Sequence, residues 1–158
     1  MTKTKSKKPL EYALRILSMR DYSEYTIREK LIFKFGIKEA NETVEKLKEF
    51  NYINDLRYAE NFISSKLVSG YGIYVVVRKL KEKGIDVNRG FVLTTAESRN
   101  IDLEEQLILT MKKYLAKTGD KDKISVRNKC LAYMMRRGFD IYQAEIQFER
   151  LTDESDFS

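Results

Sequence analysis

The feature that most constrains this chain is a helix-like stretch that ends in basic residues and a glycine, and it occurs three times. The endings are Lys34-Phe35-Gly36, Lys83-Gly84 and Arg137-Gly138. Successive glycines are separated by 48 and 54 residues, which predicts a repeat near 50 residues with three helices in each unit. One such unit buries too little apolar surface to be stable alone. The pattern therefore predicts an elongated tandem array of three three-helix repeats.

The clearest of these stretches covers residues 73–83. Its apolar residues have the i, i+3, i+4, i+7 spacing of one helix face, and they are Ile73, Val76, Val77 and Leu80. The basic residues lie off this face, and they are Arg78, Lys79, Lys81 and Lys83. Three consecutive valines favour a strand, but a strand would place Arg78 and Lys79 on opposite faces. We therefore predict a helix that ends at Gly84, in a left-handed residue.

The rest of the chain also favours an all-α fold. One proline and seven glycines are few turn residues for a β fold of 158 residues. The predicted organisation is a basic disordered arm over 1–9, three-helix repeats over 10–50, 51–100 and 101–152, and an acidic frayed tail over 153–158. Ser23 is the expected cap of the second helix. Asn54 or Asp55 is the expected cap of the helix that opens the second repeat.

Composition excludes several classes of site. The chain has no histidine and one cysteine, Cys130. An internal disulfide, a multi-cysteine metal site and histidine-based acid–base catalysis are therefore excluded. Cys130 shares an apolar stripe with Val126 and Met134, so we expect it in the core. The segment Gly70-Tyr71-Gly72 lacks the surroundings of a phosphate-binding loop, and we expect no metal, no cofactor and no catalysis.

The charge balance favours an anionic partner without identifying it. Thirty Lys and Arg residues against 24 Asp and Glu residues give a net charge of +6. No apolar run approaches the ~20 residues that a membrane-spanning helix needs. We therefore expect a soluble, cytoplasmic protein with no membrane partner.

The central segment resembles a known family. Residues 51–62 (Asn-Tyr-Ile-Asn-Asp-Leu-Arg-Tyr-Ala-Glu-Asn-Phe), followed by Gly70-Tyr71-Gly72, 78–80 and 83–86, are similar to the central motif of the RecX family of bacterial regulatory proteins. The segment Arg28-Glu29-Lys30-Leu31 resembles the family's first repeat, and Arg136-Arg137-Gly138-Phe139 resembles its third. The similarity covers residues 10–151. The chain departs from the family at Ile73, where proline is usual, and the first repeat's Lys-Phe-Gly is one residue longer than the common Lys-Gly ending.

This resemblance implies a regulator of the recombinase RecA. Members of the family bind RecA–single-stranded DNA filaments, lie in the helical groove and inhibit ATP hydrolysis, strand exchange and coprotease activity. The implied partners are the RecA filament and, weakly and with salt sensitivity, single-stranded DNA, and the protein is expected to act as a monomer. An elongated array with basic faces suits such a groove, because many weak contacts to successive protomers reinforce one another.

The expected contacts to the filament are basic residues in the three repeats. They are Arg28, Lys30, Lys34, Arg57, Arg78, Lys79, Lys81, Lys83, Arg136 and Arg137. The alternative for each is a solvated helix face, and Arg57 could instead pair with Glu60 or Glu11. Tyr71 and Tyr74 are expected either to stack on bases or to close the interface between the first two repeats.

The main alternative function is an autonomous helical DNA-binding protein that acts without RecA. One unit would then serve as a helix-turn-helix reader. Against this, the basic residues recur in every unit instead of concentrating on one recognition helix. The two functions differ in a simple way: a sequence reader should prefer one duplex, whereas a filament regulator should need RecA for tight association.

Overall fold

The computed structural model describes the backbone of residues 8–156 and side chains as far as Asp153. These residues form nine α-helices and contain no β-strand, which confirms the predicted all-α class. The helices are α1 (Pro9–Leu17), α2 (Glu24–Phe35), α3 (Ile37–Glu49), α4 (Asp55–Val68), α5 (Ile73–Lys81), α6 (Arg89–Ser98), α7 (Leu103–Leu115), α8 (Lys123–Arg136) and α9 (Ile141–Asp156). Residues 1–7 of the predicted arm and 157–158 of the predicted tail lie outside the described part.

The chain divides into two compact units. Unit 1 extends to Asn61 and includes Leu80–Asp86, whereas unit 2 comprises Phe62–Lys79 and the chain from Val87 onward. A core cluster of unit 1 is formed by Ala13, Ile27, Leu31, Ala40, Val44, Leu47 and Ile53. A core cluster of unit 2 is formed by Leu107, Met111, Cys130, Leu131, Met134, Ala144 and Phe148. Residues of the predicted second repeat are shared between the units, and the repeat boundaries stay a prediction.

Polar side chains cap the starts of most helices. Ser23 caps α2, as predicted, by accepting a hydrogen bond from the backbone N–H of Thr26 at 3.2 Å. Of the two candidates for α4, Asn54 is the cap, since it accepts from the backbone N–H of Arg57 at 3.0 Å. The caps of α6, α7 and α8 are Asn88, Asp102 and Asp122.

Five helices end in the same backbone turn. In each, a left-handed residue donates its N–H to the carbonyl three residues earlier, and the next residue donates to the carbonyl five residues earlier. At the end of α5, Gly84 donates to Lys81 at 2.9 Å and Ile85 donates to Leu80 at 3.0 Å. The same pair of bonds occurs at Asn51, Gly70, Asn100 and Gly138.

Gly36 ends its helix in a different way. It has φ 96° and ψ 169°, and its N–H donates to the Ile32 carbonyl, four residues earlier. Its own carbonyl accepts from Ala40, so the same residue begins α3. The three endings that look alike in the sequence are therefore of two kinds: Gly84 and Gly138 share one turn, whereas Gly36 joins two helices directly.

Helix α5 forms as predicted, but its buried stripe is shifted. Val76 and Leu80 are fully buried, and Val75 is only 5% exposed although the pattern left it out. Ile73 and Val77 are half-buried. The cause is the backbone at Gly138, which packs so closely on Val75 that a Cβ there would lie 2.5 Å from the Val75 nitrogen.

Helix α6 shows a similar difference. In the sequence of residues 87–97, Val87 and Phe91 are the residues expected to face inward, but both are half-buried, and Val87 precedes the helix. Val92 and Ala96 are buried instead, with Thr95 between them. The Thr95 hydroxyl donates to the Phe91 carbonyl at 2.8 Å, which satisfies this polar group inside the helix. A threonine can therefore lie on the buried face of a helix. A search of the sequence for apolar residues alone does not identify such a position.

Candidate binding site

The four cations around the end of α5 differ in exposure. Arg78 and Lys81 are exposed, whereas Lys79 and Lys83 are half-buried. The Nζ atom of Lys79 lies 5.6 Å from the centroid of the Tyr71 ring, within the range of a cation–π interaction. Arg78 and Lys81 are therefore the two of these residues that a partner can reach most directly.

Tyr71 lies among cations of unit 2. The Arg137 guanidinium is 4.1 Å from its ring centroid, and the ammonium groups of Lys66 and Lys79 are each 5.6 Å away. Tyr71 is half-buried, and Tyr74 is 56% exposed. Both tyrosines line a cavity of about 200 Å³ in unit 2, with apolar walls that include Leu67, Leu93, Leu103, Leu107 and Phe139. Of the two, Tyr74 has the more accessible ring.

Arg137 is used within the fold. Its Nε donates to the Gly70 carbonyl at 2.8 Å, and a terminal nitrogen donates to the Ser69 carbonyl at 2.7 Å. These carbonyls follow the end of α4, where backbone acceptors lack helical partners. Arg136, the preceding residue, is exposed. The two consecutive arginines therefore have different surroundings, and only Arg136 presents its side chain mainly to solvent.

Two glycines bring the start of α5 against the end of α8. Gly72 donates its N–H to the Arg137 carbonyl at 2.8 Å, and Tyr74 donates to the Gly138 carbonyl at 3.2 Å. A Cβ at Gly72 would lie 2.2 Å from the Gly138 carbonyl carbon. Gly138 itself has φ 93°. Glycine is required at both positions, because one backbone approaches the other too closely for a side chain.

Arg28 also makes contacts within its own unit. It donates to Glu24 at 2.6 Å and to Asn41 at 2.5 Å. Lys48 approaches the same Glu24 carboxylate at 3.3 Å. Partial burial acts to raise the pKa of Glu24, but the hydrogen bonds from Arg28 and Lys48 outweigh it and hold this pKa below its usual value. The charge of Arg28 is thus largely compensated by Glu24.

Asp55 contacts the start of α2. Its carboxylate accepts a hydrogen bond from the backbone N–H of Glu24 at 2.8 Å. The carboxylate therefore caps α2 although it belongs to α4. Burial raises the pKa of Asp55 above its usual value, despite this hydrogen bond.

A second group of cations surrounds two tyrosines of unit 1, Tyr12 and Tyr22. Tyr12 lies under Lys34 at 4.3 Å and Arg15 at 5.5 Å, measured to the ring centroid. Tyr22 lies under Arg20 at 4.7 Å and Lys30 at 5.4 Å. Phe33 shares a shallow depression with Tyr12, Lys30 and Lys34. We refer to these seven residues, Tyr12, Arg15, Arg20, Tyr22, Lys30, Phe33 and Lys34, as the α1–α2 surface.

Sequence reasoning found only Lys30 and Lys34 of this surface. Phe33 lies on α2 with these two lysines, whereas Tyr12 and Arg15 belong to α1, so their proximity depends on how α1 and α2 pack. Arg20 and Tyr22 belong to the segment between the two helices. One signal was available: Tyr12 and Arg15 are three residues apart, a spacing that brings side chains together on a helix.

Arg57, predicted from the central motif, is exposed, and its guanidinium lies 3.5 Å from the Tyr52 carbonyl.

Comparison with known proteins identifies the family. Residues 54–88 match the family model for the second three-helix domain of RecX. The chain is 33% identical over 160 residues to regulatory protein RecX of Pectobacterium atrosepticum, and the match covers 89% of this chain and 94% of that protein. The chain belongs to the RecX family. Regulatory protein RecX of Haemophilus influenzae is 27% identical over 130 residues, covering 81% of this chain and 84% of the relative.

Solved RecX structures share the fold. RecX from Lactobacillus salivarius superposes with a TM-score of 0.70 at 19% identity, covering 91% of this chain and 94% of that one. A second crystal structure of regulatory protein RecX gives a TM-score of 0.72 at 16% identity, covering 89% of this chain and 70% of that one. At these identities the likeness establishes the RecX fold alone.

Three further features of this RecX-family chain concern its cysteine thiol, metal-ligand groups and membrane-spanning helices. Cys130 is fully buried, as predicted, and burial raises the pKa of its thiol to about 11, so the thiolate is disfavoured. Within residues 8–156 there is no group of three or more His, Cys, Asp or Glu side chains that could hold a metal ion. No helix in the same part of the chain is long and apolar enough to cross a membrane.

Proposed function

We propose that this protein, acting as a monomer in the cytoplasm, binds RecA–single-stranded DNA filaments in their helical groove. It thereby inhibits the ATPase, strand-exchange and coprotease activities of RecA, and it has no catalytic activity of its own. The observation that carries the proposal is membership of the RecX family across nearly the whole chain, since 89% of it aligns with a regulatory protein RecX.

The segment that matches the family model supports a role for the central cations. Residues 54–88 contain Arg57 and all four cations around the end of α5. Arg57, Arg78 and Lys81 are exposed, so their charges are accessible to an acidic protein surface or to DNA phosphates. We propose that these three residues, with Arg136, make the principal contacts, and that Lys79, Lys83, Lys30 and Lys34 add weaker ones.

Two of the predicted contact residues have a different use within the fold. Arg28 is paired with Glu24, and Arg137 donates to two carbonyls beyond α4. Removing either side chain from its partner to bind a filament would leave a part-buried acceptor unsatisfied. We therefore assign Arg28 and Arg137 to stabilising the shape of the binding surfaces.

The proposal is tested by sedimentation with preassembled filaments. RecA filaments on single-stranded DNA, held together with a slowly hydrolysed ATP analogue, are pelleted with this protein, beside free RecA and beside duplex DNA without RecA. We expect the protein to pellet with filaments and to stay in solution with free RecA. Association with duplex DNA that is as tight as with filaments would instead support the autonomous DNA-binding alternative.

A further inference from the structure

The cavity of about 200 Å³ in unit 2 is not lined by any of the cations proposed to contact the filament. Its surface is mainly apolar, and its walls include Leu67, Leu103, Leu107 and Phe139. An apolar cavity of about 150 Å³ is large enough to bind one benzene ring. The cavity in unit 2 is larger, so it has room for one aromatic ring or for two fused rings.

One polar side chain in the wall has an unused hydrogen-bond acceptor. Gln147 of α9 is only 4% exposed and lines the cavity. Its Nε2 donates to the carboxylate of Glu104 at 2.5 Å. Because a carboxylate only accepts hydrogen bonds, the amide nitrogen must face Glu104, and the amide oxygen must face elsewhere. No described residue donates to this oxygen.

The Gln147 oxygen is in contact with open space. Among the described residues, every fully enclosed side-chain nitrogen or oxygen has a hydrogen-bond partner. The oxygen of Gln147 has no partner, so it is not fully enclosed, and the open space that Gln147 lines is this cavity. A nearly buried acceptor without a donor costs free energy, which a ligand that supplies a donor would recover.

The charged groups in the walls disfavour an anionic ligand. Glu104 is engaged with Gln147 and lies 3.7 Å from Arg150. Asp140 accepts from two backbone N–H groups at the start of α9, at 3.0 and 3.1 Å. These two carboxylates outnumber Arg89, the cation in the walls. A negative charge inside the cavity would therefore be repelled more than attracted.

We propose that this cavity binds a neutral aromatic ring that carries one N–H or O–H donor, as indole and phenol do. The ring lies among the leucine and phenylalanine side chains, and its donor bonds to the Gln147 oxygen. A free small molecule and a tryptophan or tyrosine side chain of a partner protein offer the same chemistry. The site is separate from the proposed contacts to RecA, and the binding of the ring needs no RecA.

The test titrates indole with the full chain and follows indole fluorescence. The chain has no tryptophan, so light absorbed beyond the tyrosine band excites the ligand alone. We expect one saturable site and emission at shorter wavelength, as the ring leaves water. Benzofuran has the shape of indole with an oxygen in place of the N–H. Measured by displacement of indole, it should bind at least about fivefold more weakly, the effect of one lost hydrogen bond.

Two substitutions locate the ring. Gln147→Met should weaken indole about fivefold and leave benzofuran unchanged. The fold should persist because the Glu104 side chain is 60% exposed and can be hydrated instead, which circular dichroism checks. Leu93→Phe should abolish binding by filling the cavity, and since Leu93 is 40% exposed the core is not disturbed. Leu109→Phe is its matched control, because Leu109 is 41% exposed in the same unit and does not line the cavity.

A blocked amino acid, N-acetyltryptophanamide, distinguishes the two sources of the ring. Binding at least as tight as that of indole supports the proposal with a partner protein as the source, and binding of indole alone supports it with a free small molecule. The proposal is overturned if indole shows no saturable binding, if benzofuran binds as tightly as indole, or if Leu93→Phe binds indole as well as Leu109→Phe. None of these results bears on the RecA proposal, because the assay contains no RecA.

Discussion

The Arg137 guanidinium lies 4.1 Å from the centroid of the Tyr71 ring. The same group donates to the carbonyls of Gly70 and Ser69 at 2.8 and 2.7 Å. One arginine at the end of α8 thus holds both the ring and the backbone that follow α4. The pair Arg137-Gly138 at the end of α8 belongs to the RecX-like pattern in this chain. The arginine side chain stabilises the turn that follows a different helix, α4.

The first prediction concerns this arginine. Arg137→Ala should lower the free energy of unfolding by about 2 kcal/mol, because two charge-assisted hydrogen bonds and a cation–π contact are lost together. Arg136→Ala is the matched control, since Arg136 is exposed and adjacent, and it should change stability by less than about 0.5 kcal/mol. Urea denaturation followed by circular dichroism measures both. Equal effects of the two substitutions would contradict the role given to Arg137.

The second prediction concerns the close approach at Gly72. Gly72→Ala would place a Cβ 2.2 Å from backbone atoms of Gly138, so two backbone segments must separate. We expect a loss of at least about 2 kcal/mol in the free energy of unfolding, as for overpacked sites. Gly119→Ala is the control, because no atom lies within 4 Å of a Cβ built there. A melting temperature for Gly72→Ala equal to that of Gly119→Ala would show that the two segments are not packed as described.

The sequence predicted the helices well because their periodicity and caps are local. The helix predicted within 73–83 is present as Ile73–Lys81, and the cap at Ser23 and the core position of Cys130 are present too. The burial of Val75 was not predictable, because it depends on the backbone of Gly138, which is distant in sequence.

The candidate site was less predictable than the fold for the same reason. The lysines near Gly36 could be identified from the sequence pattern, but the tyrosines that contact them could not. Lys34 contacts Tyr12 of α1, and Lys30 contacts Tyr22, which lies just before α2. Arg136 and Arg137 look equivalent in sequence, and only the packing of α8 on the segment after α4 separates them. Pairwise contacts between distant residues decide which basic residues are accessible.

The third prediction concerns pH. The pKa of Glu24 is lower in the folded protein than its usual 4.5, so its stabilising contribution is present above pH 4.5 and is lost as the pH falls through the lowered value. At pH 7, Glu24→Gln should lower the free energy of unfolding by about 1 kcal/mol. This difference should shrink steadily below pH 4.5. Glu42→Gln, on the exposed side of α3, is the control, and a Glu24→Gln effect that stays constant from pH 7 to pH 3 would contradict the ion-pair account.

The fourth prediction concerns the two exposed cations of α5. The double substitution Arg78→Glu/Lys81→Glu should weaken binding to RecA filaments by about tenfold or more, because attraction at two contacts becomes repulsion. Lys112→Glu/Lys113→Glu is the matched control, since it changes the net charge equally and lies on exposed positions of α7. Filament sedimentation measures affinity, and circular dichroism checks the fold. Equal losses for the two double variants would mean that net charge, and not this helix, determines binding.

The most direct test of RecA regulation is the DNA-dependent ATPase rate of RecA, titrated with this protein at two salt concentrations. We predict that the rate falls as the protein is added and that more protein is needed at the higher salt, because basic residues make the contacts. Inhibition far below one copy per RecA would indicate action at filament ends, and inhibition near equal amounts would indicate occupation of the groove. A rate that stays constant at saturating protein, with no protein in the filament pellet, would contradict the account.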